Sequence, residues 1–177
     1  MASLRLRPGA AHHELMSEIQ LIDPTLYRSL IERARKSPRL RINHNFHTSM
    51  EDNPHRFLNV LLKGTYIAPH RHLDPPKFES FLVLDGEIAF FTFDDAGRIA
   101  GTYVLGRDAV GIDVPPGVWH TMVPLTDHAI CYEVKPGPYV AATDKQFAAW
   151  APAEGDARAG EYVQTLLRAC RADEGVY

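Results

Sequence analysis

The segment His70-Arg71-His72 sets two imidazoles at positions i and i+2. In an extended chain such residues share one face, about 6.5–7 Å apart along the strand, so both can converge on a single ion. Glu79 follows a loop containing Pro75-Pro76, and if that loop reverses the chain the carboxylate returns beside the histidine strand. Strand parity then places Glu79, Phe81 and Val83 on one face and Ser80, Leu82 and Leu84 on the other. His120 comes after Pro115-Pro116-Gly117-Val118-Trp119, a tight turn that delivers it near the start of a strand. An imidazole among Val118, Trp119, Met122 and Val123 is costly to bury without partners. Taken singly, each of these four residues is accounted for as well by a core side chain bonded to a backbone carbonyl as by a metal ligand.

The elements that must carry them are short. Asp23-Pro24 reads as an N-cap followed by proline at the first helical position. Leu26, Tyr27, Leu30, Ile31 and Ala34 then fall on one helical face, and Ser37-Pro38 ends the helix. From Arg39 the period becomes two, with Leu40, Ile42 and His44 alternating with Arg41, Asn43 and Asn45. Further strands are expected at 57–62, 65–70, 78–84, 87–93, 98–105, 109–114, 118–123 and 129–135. Gly64, Asp85-Gly86, the run from Asp94 to Gly97, Gly106 and Pro115-Pro116-Gly117 punctuate them. Many short strands with hairpin-length turns and no intervening helix predict an all-β sandwich or barrel. A second helix is expected over 161–172, with Tyr162, Val163, Leu166, Leu167 and Cys170 on one face. The expected organisation is a flexible arm over 1–20, one barrel domain with its N-terminal helix over 21–150, and a C-terminal extension with a short helix over 151–177.

Bulk properties narrow the partners. A net charge of -3 gives no electrostatic reason to expect nucleic acid. No run approaches the roughly 20 apolar residues of a membrane helix, and the N-terminus lacks the apolar core of a signal peptide, so no membrane role is expected. Cys131 and Cys170 are far apart and outside any CxxC spacing. That suits the cytoplasm and indicates neither a disulfide framework nor a thiolate zinc site. No GxSxG or Cys-His signature supports a nucleophilic hydrolase.

Together the motifs resemble a known superfamily. Gly64, five residues, His70, one residue, His72, then Glu79, six residues and Gly86 is similar to the first conserved motif of the cupins. Pro115, one residue, Gly117, two residues and His120 is similar to the second. Departures are the six residues between His72 and Glu79, where most cupins have three or four, Ala109 in place of a glycine and Pro124 in place of an asparagine. The segments RINHNFH, PHRH, PPGVWHT, EVKPGPY and DKQFAAWAPAEG resemble more narrowly the WbuC-type cupins, from about Ile19 to Gly155. These are small bacterial metal-binding proteins often associated with surface-polysaccharide gene sets and without an established reaction.

The resemblance implies an all-β double-stranded β-helix (jelly-roll) barrel with flanking helices. It implies one divalent ion held by His70, His72, Glu79 and His120, and a homodimer. Three imidazoles and a carboxylate suit Fe, Mn, Ni or Zn, and leave coordination positions for water or substrate. Substrate contacts are expected among Asn43, Asn45, His47, Arg56, Asn59 and Tyr139. Asn43, Asn45 and His47 share one strand parity and His44 and Phe46 the other, so only one set points inward. Arg56 has the fork geometry to clamp a carboxylate or phosphate, or else is a solvated strand end. Tyr139 is placed to cover a barrel mouth or to pack as a loop aromatic. Three functions follow: a metal-dependent isomerase, epimerase or oxygenase acting on a small polar metabolite such as an activated sugar; a non-catalytic binder of such a ligand; or a scaffold that the ion only stiffens.

Overall fold

A computed structural model describes residues 19–173, so most of the expected arm over 1–20 lies outside the described residues. Helix α1 (Pro24–Arg35) begins as its sequence predicts, with the Asp23 carboxylate accepting from the Leu26 N–H at 2.8 Å and Pro24 in the first turn. Ten strands follow: β1 (Arg41–Asn45), β2 (His55–Leu62), β3 (His70–Arg71), β4 (Glu79–Asp85), β5 (Ile88–Phe93), β6 (Ile99–Leu105), β7 (Gly111–Val114), β8 (Trp119–Pro124), β9 (His128–Lys135) and β10 (Gln146–Phe147). Helix α2 (Ala159–Asp173) closes the described chain. No helix among the described residues is long and apolar enough to cross a membrane.

The strands form two five-stranded sheets, in the orders β1-β2-β9-β4-β7 and β10-β3-β8-β5-β6, with antiparallel pairing throughout. Leu61 and Phe81 from the first sheet meet Phe90 and Met122 from the second in one core. A second core seals α1 on the outer face of the first sheet, where Leu30 and Ala34 meet Leu58, Val60 and Ile130. A third seats Val163, Leu166 and Cys170 of α2 against Phe91, Trp119 and Val123 on the second sheet. Central strands β5 and β8 are therefore covered on both faces, which explains why they read as nearly continuous apolar runs. Strand β4 keeps the alternation, with Phe81 buried and Leu82 49% exposed on the face that no helix covers.

The turns behave as their residues require. Gly86 sits at φ 76°, with the His128 carbonyl where a Cβ would project, and Gly117 takes φ 83° in the turn before His120. One expected strand is corrected: of 65–70 only His70 joins a ladder, within the two-residue β3. The preceding carbonyls are taken by other groups. Tyr66 O accepts from Arg41 Nη1 at 2.7 Å, Ile67 O from Thr121 Oγ1 at 2.6 Å and Pro69 O from the Ala148 N–H at 2.9 Å, while Pro69 has no N–H to donate. The short strand β10, which pairs Gln146 with Arg71 and Phe147 with His70, falls in a stretch whose sequence shows no period.

Candidate metal centre

Strand register brings the imidazoles together. His70 on β3 lies directly opposite His120 on β8, with ring centroids 4.5 Å apart, and His72 follows β3 with its ring 5.4 Å from that of His70. Glu79 opens β4 in the other sheet, so the carboxylate reaches the imidazoles across the barrel. All four side chains are buried, and one potential ligand atom from each lies within 4.8 Å of all the others.

Each ring is aimed by its second nitrogen. Nδ1 of His70 faces the Ala68 carbonyl at 3.0 Å, Nδ1 of His120 faces the Val118 carbonyl at 2.9 Å, and Nδ1 of His72 bonds the Asp144 carbonyl. A carbonyl only accepts, so each Nδ1 carries a proton, and in the neutral ring each Nε2 then presents a lone pair. Glu79 Oε1 then lies 3.0 Å from His72 Nε2, and Glu79 Oε2 lies 2.9 Å from His120 Nε2. Two acceptors at that separation repel unless a cation lies between them. His72 Nε2, His120 Nε2 and Glu79 Oε2 are indeed buried with no hydrogen-bond partner. Burial alone would raise the Glu79 pKa; hydrogen bonds and positive charge from His120 and His72 outweigh it and hold the carboxyl well below its ordinary range, and a divalent ion at the same point supplies that positive charge when both rings are neutral. Burial, then the charge of Lys145, pushes His70 well below the usual imidazole value and keeps it neutral. A neutral His70 beside an ionised Glu79, with two further imidazoles whose Nδ1 atoms are held by carbonyls, is a donor set that fits a divalent ion.

Charged groups that the motifs did not single out surround the cluster. Asp144 accepts from Lys77 Nζ and Lys135 Nζ, both at 3.1 Å, while its backbone carbonyl orients His72. Lys135 Nζ also lies 3.7 Å from Glu79 Oε1. Burial, reinforced by the Glu79 charge, pushes the Glu133 carboxyl up to about 8, and Asn59 Nδ2 donates to Glu133 Oε2 at 2.5 Å. The signal for these residues lay in β9, where Glu133 and Lys135 share the parity of buried Cys131 and so point inward. Cys131 itself is a core residue whose thiol burial pushes far up, which removes it as a nucleophile.

The open parity question at β1 resolves toward Asn43, Asn45 and His47, which with Tyr139 line a cavity of about 390 Å³. Phe46 turns outward onto the α1 core, with His44 edge-on to its ring at 5.1 Å. Asn59 faces the interior through its bond to Glu133. Arg56 alternates with inward-facing His55 and Phe57, so its side chain lies on the outer face, exposed, and donates to the Phe46 carbonyl at 3.3 Å, the solvated strand end that its sequence also allowed.

Comparisons with known proteins follow the fold. An uncharacterized conserved protein with a double-stranded beta-helix domain from Klebsiella pneumoniae superposes with a TM-score of 0.53 at 15% identity, over 74% of this chain and 98% of that one. The fold is a double-stranded β-helix. The capsular polysaccharide assembling protein CapF from Staphylococcus aureus superposes with a TM-score of 0.50 at 19% identity, over 60% of this chain. This chain spans only 34% of the CapF chain. The Cnp3 cupin domain of Schizosaccharomyces pombe matches at 16% identity and a TM-score of 0.42, over 53% of this chain and 59% of that one. A family model described as a domain of unknown function, DUF6016, matches residues 22–105. No curated protein matches this chain.

Proposed function

We propose that this cupin is a WbuC-type metalloprotein that binds one divalent ion (Zn, Fe, Mn or Ni) through His70, His72, Glu79 and His120. It acts on a small polar metabolite, a sugar or nucleotide-sugar of surface-polysaccharide metabolism, by isomerase, epimerase or oxygenase-like chemistry. The observation that carries the metal is the set of three orphaned buried atoms, two imidazole nitrogens and a carboxylate oxygen, facing one point. A bound ion supplies Lewis acidity toward a substrate oxygen. Around it the chain contributes a salt-bridged lysine, Lys135, a buried carboxyl, Glu133, held largely protonated at neutral pH, and Tyr139 beside the cavity. Glu133 is placed to hold or release a proton, which is what a proton-moving reaction at a carbon next to a carbonyl needs. CapF, described as assembling capsular polysaccharide, shares the fold and supports the polysaccharide setting only to that extent.

The test is elemental analysis of the purified protein beside His72→Ala and His120→Ala. The parent is expected to carry close to one ion per chain and the variants little, while all three stay folded; equal metal content in all would end the assignment. With metal bound, proton exchange at a sugar carbon without oxygen consumption indicates isomerase chemistry, and oxygen uptake with Fe indicates an oxygenase. Ligand binding without turnover selects the second reading, a non-catalytic metal-dependent binder. We also infer a cytoplasmic homodimer, its contact formed by the uncovered face bearing Leu82, Leu84 and Val110. A monomeric mass by light scattering would remove the dimer.

A further inference from the structure

The cavity lined by Asn43 and Asn45 shares a wall with the metal cluster, because Lys135 and Asp144 border both. Its lining carries three cations, Arg39, Lys135 and Lys145, against one carboxylate, Asp144. That carboxylate is already spent: Oδ1 faces Lys77 and Oδ2 faces Lys135. Arg39 has only a distant contact with Glu154, at 3.9 Å. Lys145 is partly buried and makes no hydrogen bond or ion pair within 4.0 Å among the described residues. The side-chain amides of Asn43 and Asn45 are exposed and make no hydrogen bond to the described residues, which leaves them free to meet a ligand. Burial pushes the Lys145 pKa down, Glu79, Glu133 and Asp144 offset only part of that from beyond ion-pair distance, and an anion in direct contact would complete the ammonium.

We propose that Lys145, assisted by Arg39, binds the oxyanion of a small hydroxylated ligand, a carboxylate or a phosphate, while Asn43 and Asn45 hydrogen-bond its hydroxyl groups. The volume of about 390 Å³ falls in the range of small-molecule sites. The proposal rests on the metal-site reading in that the ligand's reacting end is taken to face the ion. It narrows the substrate class to sugars that carry an oxyanion, a sugar acid or a sugar phosphate. It also assigns to Lys145 the anion-holding role that Arg56, on the outer face, cannot fill.

The experiment is isothermal titration calorimetry of the full-length protein with D-glucuronate, glucose 6-phosphate and glucose, with metal content measured on the same samples. At least one charged probe is expected to bind tenfold or more tightly than glucose, and the two charged probes together identify the oxyanion. Lys145→Gln is expected to bring the charged probe to the level of glucose, and Lys145→Arg to restore most of the loss, with metal content and melting temperature unchanged in both. If neither charged probe exceeds glucose, or if Lys145→Gln binds the charged probe as the parent does, the proposal is overturned. A metal-free parent whose charged-probe binding still depends on Lys145 would instead overturn the metal assignment and leave the anion site standing.

Discussion

Glu79 Oε2 lies 2.9 Å from His120 Nε2 although the two residues belong to strands of opposite sheets. The Val118 carbonyl holds one His120 proton on the other ring nitrogen, so with the ring neutral this contact sets a carboxylate against a lone pair. Such a contact stores repulsion that a divalent ion converts into attraction, and the predictions about metal follow from it.

Chelation should destabilise the fold. Saturation at about 100 times Kd stabilises a protein by about 2.7 kcal/mol. For a domain of this size that corresponds to a fall of about 5–10 °C in Tm when the ion is removed. Differential scanning fluorimetry before and after EDTA dialysis, with metal added back, measures it. An unchanged Tm in a protein shown to lose its ion would contradict the geometry.

Glu79→Gln should reverse sign between the two forms. The amide keeps the shape but removes the charge, so metal affinity should fall by tenfold or more. Without metal, the amide N–H₂ can donate to His72 Nε2 or His120 Nε2, so the variant should be more stable than the metal-free parent by about 1 kcal/mol. Urea titrations of both proteins in EDTA decide it, and a less stable metal-free variant would show that the carboxylate was not opposed by lone pairs.

Glu133 gives a pH dependence with a definite sign. Its folded pKa, about 8, stands above the ordinary carboxylate value, so the folded state binds the extra proton. The contribution is fully present below the unfolded value near 4.3 and is lost as pH rises through about 8. Glu133→Gln can still accept from Asn59 Nδ2 and has no proton to lose. Relative to the parent, the variant should gain a few kcal/mol between pH 5 and pH 9. Parallel stability curves across that window would show that Glu133 ionises as an ordinary carboxylate.

Leu166→Ala should cost about 2–5 kcal/mol, because Leu166 is buried under α2 against the second sheet. The loss should leave metal content unaltered in protein that remains folded, since no ligand lies on α2. A cost below about 0.5 kcal/mol, the scale of a surface substitution, would make α2 an appendage and not part of the core.

Much of this was legible in the residues themselves, where local chemistry decides the outcome. Asp23-Pro24 caps a helix because a carboxylate and a fixed φ act within one turn. The period-two stretches and their glycine turns locate most strands within two residues, and the histidine spacing marks one face of β3. Partners distant in sequence were beyond its reach. Nothing local says that Asp144 would orient His72, that Arg56 would turn outward while Asn43 turned inward, or that residues 65–69 would spend their carbonyls on side chains from elsewhere. Those outcomes depend on which sheet face becomes the interior and on where Pro138 and Asp144 come to lie beside Lys77 and His72. Burial and long-range register decide both, so only the tertiary structure could.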